Sequence, residues 1–252
     1  DETHRFIVEL KPDYIFVENV PGLQKIDKDK EGPYKRFIEF LNNQGYNFVE
    51  FIARSEEYGV PQRRKRFVLL SSKIGEITIP PKTHGKGLLP ITTVRDFIGD
   101  FPKIKAGETH PDDPWHRCPP LSERNLERIQ YTLEGGDRRN WPEHLINNCH
   151  KTHSGHMDVY GRMSWDKPAP TLTTRCYSYS NGRFGHPDTN QHRAISVREA
   201  SRLQTFPIHF KFKGSIAEAS RQIGNAVPCE MAKQFGLAIQ QHYIHMKKTK
   251  KD

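Results

Sequence analysis

The sequence predicts an α/β fold, a doubly wound sheet interrupted by an insertion, on three observations. The first seventy residues alternate short apolar runs, suited to buried strands, with a segment of helical period. From about Ile79 to His192, Pro, Gly, His and Arg become frequent and apolar periodicity fades. From Ser196 onward helical patterning returns. The divisions implied are 1–78 for the sheet, 79–192 for an inserted unit and 193–252 for a helical return to the first body.

Tyr14 to Val17 follows Lys11-Pro12-Asp13 as a short apolar run and predicts a buried strand. It stops at Glu18-Asn19, and Pro21-Gly22 makes a turn. Tyr34 to Asn43 carries Phe37, Ile38 and Leu41 at helical spacing, with Gly45 as its stop. Tyr46 to Ala53 and Phe67 to Leu70 read as two more strands. The insertion is punctuated by Pro80-Pro81, Pro119-Pro120, Gly135-Gly136 and Pro168-Ala169-Pro170, and predicts short strands and loops. Ser196 to Thr205 is a helix whose Ser196 and Glu199 form a capping box. The last helix runs from about Cys229 to His245, with Met231, Phe235, Leu237, Ala238 and Ile239 as its core contacts.

Composition narrows the partners. Thirty-nine basic against thirty acidic residues give a formal charge of +9, and the body stays basic without the tail of Lys247, Lys248, Lys250 and Lys251. Such a surface favours a polyanion, because each neutralised phosphate releases counterions. No apolar run is long enough to cross a bilayer, which puts nucleic acid ahead of a membrane. Four cysteines without regular spacing do not make a disulfide framework, so a reducing cytoplasm is the default compartment. The chain begins at Asp1 without an initiator Met, and a fragment or processed chain is expected.

Three constellations carry chemistry. Phe16-Val17-Glu18-Asn19-Val20-Pro21-Gly22-Leu23 places a carboxylate at a strand's carboxyl end, where sites form in such sheets. A glutamate that merely caps the turn is the competing reading. Tyr58 to Phe67 contains Arg63, Arg64, Lys65 and Arg66 just before a strand. Alternation sends Arg64 and Arg66 to one face and Arg63 and Lys65 to the other. A solvated basic loop competes with an arginine fork for phosphate or a base edge. Ala200 to Pro207, followed by Gln222-Ile223-Gly224-Asn225-Ala226-Val227-Pro228, sets a Gly-Asn pair before a helix, where backbone can approach a ligand.

In this order the pieces resemble the DNA cytosine-5 methyltransferase family, over nearly the whole chain. The matching residues are Glu18-Asn19-Val20, Gln62-x-Arg64-x-Arg66, Arg198-Glu199 through Pro207, and Gly224-Asn225-Ala226-Val227. Tyr160-Gly161-Arg162 and Pro168 through Thr174 resemble the family's target recognition domain. The resemblance implies an incomplete doubly wound, Rossmann-like methyltransferase sheet with an inserted small mixed or β recognition domain. It also implies a prokaryotic enzyme of the nucleoid, acting on double-stranded DNA as one side of a restriction-modification system. In such enzymes a cytosine is flipped from the duplex, a Cys thiolate adds to C6, and C5 takes the methyl of S-adenosylmethionine. By position, Glu18 is the residue at cytosine N3 and the exocyclic amine, Arg66 donates to O2, and Arg64 supports the site or a phosphate. Asn225, Gly224 and Ala226 match the motif at the cofactor's methionine end. Arg162, Thr171, Arg175, Gly182 and Arg183 are the expected DNA contacts, with Arg175 on a base.

The resemblance also defines an expected gap. The family's glycine-rich cofactor loop and Pro-Cys nucleophile precede the Glu-Asn-Val motif, and neither is in this sequence. Pro228-Cys229 is a literal Pro-Cys pair, but it sits in the downstream motif and reads as structural. Cys118, Cys149 and Cys176 fall in the recognition region with no base evident. The strand ending at Glu18 would then expose an apolar edge. A complementary N-terminal half, on a separate chain or cleaved from this one, is therefore expected to complete the sheet, with this chain inactive alone. A split gene, a cleavage or a trimmed chain would each give this start. A non-catalytic recognition subunit, or a degenerate methyltransferase, is the alternative. Cys149, His150, His153 and His156 lack a second cysteine pair, so no metal is assigned, and the signature of a zinc deaminase is missing.

Overall fold

Three strands position the site in the computed structural model, whose described residues are 2–22, 32–151 and 158–249. Leu23, His153, His156, Lys250 and Lys251, which the sequence reading used, lie outside them, as does the side chain of His150. α1 (Glu2–Leu10) precedes β1 (Tyr14–Asn19), α2 (Pro33–Asn43) and β2 (Asn47–Arg54), and a short 3-10 turn leads to β3 (Lys65–Ser72). The sheet order is β1-β3-β2, with both outer strands antiparallel to β3. Phe67, Val68, Leu69 and Leu70 of β3 are all essentially fully buried. Each such side chain contributes about 1.5–3 kcal/mol of transfer free energy, so β3 anchors the sheet.

Alternation along β3 divides the two faces. Phe67 and Leu69 pack with Ile7 of α1 and Leu41 of α2. Val68 and Leu70 pack on the opposite side with Met231 and Phe235 of α8 (Cys229–Thr249). Helix, sheet and helix thus form three layers. Gly45, at φ 77°, ends α2 in the left-handed region that glycine adopts without strain. Leu237, expected in the core, is 41% exposed, because α8 turns only its Met231–Phe235 side to the sheet.

The insertion is less β-rich than expected. Its only ladder among the described residues is β4 (Thr109–His110) with β5 (Asp113–Arg117). Helices α3 (Val94–Ile98), α4 (Glu123–Tyr131) and α5 (Asn148–Lys151) and several 3-10 turns supply the rest. Val94, Met163, Leu172 and Phe184 share one core with residues of α6 (Val197–Leu203) and α7 (Ile216–Asn225). Residues on the two sides of position 192 therefore pack as one body.

Beneath that core lies a buried polar cluster. Arg193 donates 2.7 Å bonds to both oxygens of Glu199, and His186 Nε2 lies 3.4 Å from Glu199. The Glu199 carboxylate also closes the predicted capping box on Ser196. Burial alone would raise the Glu199 pKa, but Arg193 and His186 outweigh it and hold it well below the ordinary range. Burial lowers that of His186, and Glu199 offsets this only in part.

Candidate active site

Antiparallel pairing brings the end of β1 beside the start of β3, with Glu18 opposite Val68 and Asn19 opposite Phe67. Glu18 shares the α8 face of β1 with Tyr14 and Phe16, which contact His242 and Phe235. Arg66 lies on the same face of β3 as Val68. The two side chains meet, Arg66 Nε standing 2.7 Å from Glu18 Oε1, and both are largely buried at 13% and 17% exposure. The contact is ionic but poorly directed: Glu18 Oε1 has no hydrogen-bond donor, although it is buried. A buried acceptor with spare capacity beside a cation is suited to a polar ligand carrying its own donor.

Arg64 is close by but cannot reach solvent, being 1% exposed. Its Nη1 donates to the Leu172 carbonyl at 2.8 Å, and its Nη2 to those of Gly224 at 2.7 Å and Ala226 at 3.3 Å. Burial lowers its pKa to about 10, which still leaves it charged near neutrality. The expected alternation holds, because Arg63 and Lys65 are exposed. Of the two roles expected for Arg64, supporting the site fits this burial and binding a phosphate does not.

The expected DNA contacts divide in the same way. Thr171, Gly182 and Arg183 line one cleft of about 650 Å³ together with Arg63, Lys167 and Asn181. Arg183 forms part of its wall, donating to the carbonyls of Gly135 and Gly136 at 2.6 Å and pairing with Asp137 and Asp158. Asp137 would be raised by its burial, but bonds from Arg139 and Arg183 pull it down to about 2. Gly182 is buried with extended backbone, and a Cβ there would stand 2.5 Å from the Phe184 ring. Arg175 is exposed and does not line the cleft. Arg162 is misplaced by the sequence reading. It is fully buried and donates to the carbonyls of Thr132, Ile129, His186, Asp188 and Gln191. Its guanidinium is spent on the scaffold, leaving nothing for a base edge. Lys167 and Asn181 also line this cleft and were not foreseen, since a lone polar residue beside a turn carries no sequence signal.

The Gly-Asn-Ala motif lies between two helices. Gly224 and Asn225 close α7 and precede α8, as expected, with Pro228 leading into α8. A Cβ at Gly224 would stand 2.4 Å from the Thr173–Thr174 peptide, so this glycine admits the chain's own backbone. With the carbonyls of Gly224 and Ala226 claimed by Arg64, Asn225 has the exposed side chain of the three. It borders a second cleft of about 550 Å³ with Lys213, Glu218, Arg221 and Gln222. These residues fit only an edge of a bound cofactor and do not make a complete cradle. Cys229 is half-buried at the start of α8, its N–H donating to Gln204, and burial raises its thiol pKa. Burial also pushes the thiols of Cys118 and Cys176 up, to about 11 and about 12. None of these three is placed to be a thiolate. Cys149 is exposed. No group of three or more potential metal ligands occurs among the described residues, and no described helix is long and apolar enough to cross a membrane.

The class of the chain is thus α/β, a helix-flanked sheet that joins an acid and a cation at the ends of neighbouring strands. Its fold is shared with the crystal structure of a protein described as a DNA modification methyltransferase encoded within an E. coli prophage. That match has a TM-score of 0.67 at 21% identity and covers 94% of this chain and 72% of that one. The family model described as C-5 cytosine-specific DNA methylase matches residues 2–241, and the chain belongs to that family. Among relatives, Type II methylase M.HgiDII of Herpetosiphon aurantiacus is 43% identical over 244 residues, covering 94% of this chain and 67% of its own. Type II methyltransferase M1.BsuMI of Bacillus subtilis (strain 168) is 35% identical over 243 residues, covering 93% of this chain and 52% of its own. The chain thus spans between about half and two thirds of these relatives' length.

Proposed function

We propose that this chain is the base-holding and DNA-reading part of a cytosine-5 methyltransferase that modifies duplex DNA by base flipping. The observation that carries the reading is the Glu18–Arg66 pair, largely buried, with an acceptor oxygen left unspent. A flipped cytosine offers a matching edge. Its exocyclic amine and protonated N3 are donors to Glu18, and its O2 accepts from Arg66. Holding N3 protonated while a thiolate adds to C6 removes the negative charge that would otherwise build on the ring, and the fixed cation at O2 assists. Arg63, Thr171, Gly182 and Arg183 border the cleft in which the duplex would lie.

S-adenosylmethionine supplies the methyl group in this reading. Asn225 is the residue of the α7–α8 turn whose exposed side chain can meet it. The nucleophilic thiol is expected from a complementary N-terminal half, since burial raises the thiol pKa of Cys118, Cys176 and Cys229, and Cys149, which is exposed, lies in the inserted unit. The part supplying it is expected to join along β1, one of the two edge strands of the described sheet, where Phe16 is 40% exposed and Val20, just past the strand's end, 58%. Its enzyme would work in a bacterial cytoplasm as the modification side of a restriction-modification pair, a reading supported by bacterial relatives named as Type II methylases.

The test is methyl transfer from labelled S-adenosylmethionine to DNA, by this chain alone and mixed with a Pro-Cys-bearing N-terminal half. Transfer only in the mixture is expected. Transfer by the chain alone would overturn the assignment of the nucleophile. DNA binding without transfer in either case would favour a recognition subunit.

A further inference from the structure

We propose that Gln62 is a positioning residue that registers the DNA-reading segment Ala169–Leu172 against the strand carrying Arg66. One buried joint would then set both sequence reading and placement of the base. The proposal rests on the function proposed above and adds a residue to it. Gln62 is fully buried, and both ends of its amide are used. Oε1 accepts from the Leu172 N–H at 2.9 Å, while Nε2 donates to Gln204 Oε1 at 3.1 Å and to the Leu203 carbonyl at 3.4 Å. Two residues on, Arg64 takes the carbonyl of the same Leu172. Side chains from the lead-in to β3 therefore grip both backbone polar groups of one residue, Leu172, in the reading segment.

The backbones are tied as well. Gln62 and Ala169 form a parallel bridge, with Arg63 N–H to Ala169 O and Ala169 N–H to Pro61 O both at 2.8 Å. The Thr171 hydroxyl donates to the Arg63 carbonyl at 2.7 Å. Along the chain, the gripped residue alternates with Thr171 and Thr173, which face the cleft, as does Arg63. Arg66, two residues beyond Arg64, pairs with Glu18. An apolar contact at this place could slide, whereas a buried amide bonded on both sides has one low-energy register. A shift of Leu172 would move the cleft threonines relative to Arg66, separating what is read from what is held.

The experiment uses the assembled enzyme on a plasmid library carrying a randomised cassette, with methylated cytosines located by bisulfite sequencing. Gln62→Met keeps the volume and removes both amide functions. Transfer at saturating DNA is expected to fall about 10- to 100-fold. The DNA KM should change little, and the sequence context of methylation should broaden. Gln204→Met loosens the same joint from the helical side but leaves the Leu172 N–H bonded to Gln62. It is expected to melt at lower temperature and keep the wild-type context. Gln62→Asn, too short to span the joint, gives the same broadening and serves where the Met variant fails to fold. A wild-type context in both Gln62 variants, whatever their rates or stability, overturns the proposal. A broadened context in Gln204→Met would also overturn it, by reducing the effect to general loosening. Absence of methylation by the wild-type assembly would remove the underlying function and the proposal with it, whereas an active wild type with unaltered Gln62 variants removes the joint alone.

Discussion

Glu18 and Arg66 come from different strands, yet each is partnered chiefly by the other, so the chemistry depends on the pair. Glu18→Gln keeps the shape and loses the charge, and it should slow transfer by about 10²–10⁴-fold while DNA binding is retained. Single-turnover transfer measures this, and a wild-type rate would remove Glu18 from the reaction. Arg66→Ala should cost about 10²–10³-fold, the range for deleting one donor to developing charge. The double variant should fall well short of the product of the two losses, since residues acting as a unit are not additive. Full multiplicativity would mean that the two act on separate steps. Burial decided the role of Arg64, two positions away: its guanidinium is committed to three carbonyls.

At the scale of elements, strands and helices with a clean period were legible. β1, α2, β2, β3 and α6 lie where alternation, helical spacing or a capping box put them. α1 was not, because its Phe6, Ile7 and Val8 run consecutively and only Ile7 is buried. α4 was hidden for a related reason, since Arg128 takes a buried position that an apolar residue would have marked. The Gly-Asn pair does precede a helix, α8, but α7, which ends at that pair, was not foreseen although Ser215 and Glu218 form the capping box that starts it. Nothing in sequence separates Arg162, which holds α4 and the loop 186–191 together, from an arginine that reads DNA. Arg162→Met should strand several buried carbonyls and lower unfolding stability by about 3 kcal/mol or more. A chemical melt tests this, and a variant that loses DNA affinity at unchanged stability would restore Arg162 to the interface. The cluster around α6 also makes a pH prediction. His186 has a folded pKa below 6.5, so folding disfavours its protonation, and stability present above that value is lost as pH falls below it. Glu199 adds a second loss below 4.5, as pH drops through its depressed folded value. The melting temperature should therefore decline on acidification before ordinary carboxylates titrate, and His186→Gln should remove that first decline. An unchanged acid profile in His186→Gln would assign the loss to other groups.

For the whole molecule, the decisive quantity is how the +9 charge is spent. Much of the arginine content of the insertion is internal: Arg128, Arg138 and Arg162 are buried, and Arg183 is bound to the cleft wall. Net charge therefore overstates what a polyanion meets, and the exposed cations of the cleft, Arg63 and Lys167, should carry a disproportionate share of binding. The logarithm of the DNA association constant falls linearly with the logarithm of salt concentration, with a slope of about 0.9 per phosphate contact. Arg63→Ala and Lys167→Ala should each reduce that slope by about one contact and weaken binding similarly for every sequence. Lys233→Ala removes the same formal charge from α8, where the lysine pairs with Glu230, and should leave the slope unaltered. Titrations over a salt series would separate the two cases. Equal slopes for all three variants would mean that the basic charge acts as a diffuse field and that the duplex does not occupy the cleft. A loss confined to the cleft variants would place the phosphate backbone along Arg63 and Lys167, beside the reading segment held by Gln62 and Arg64.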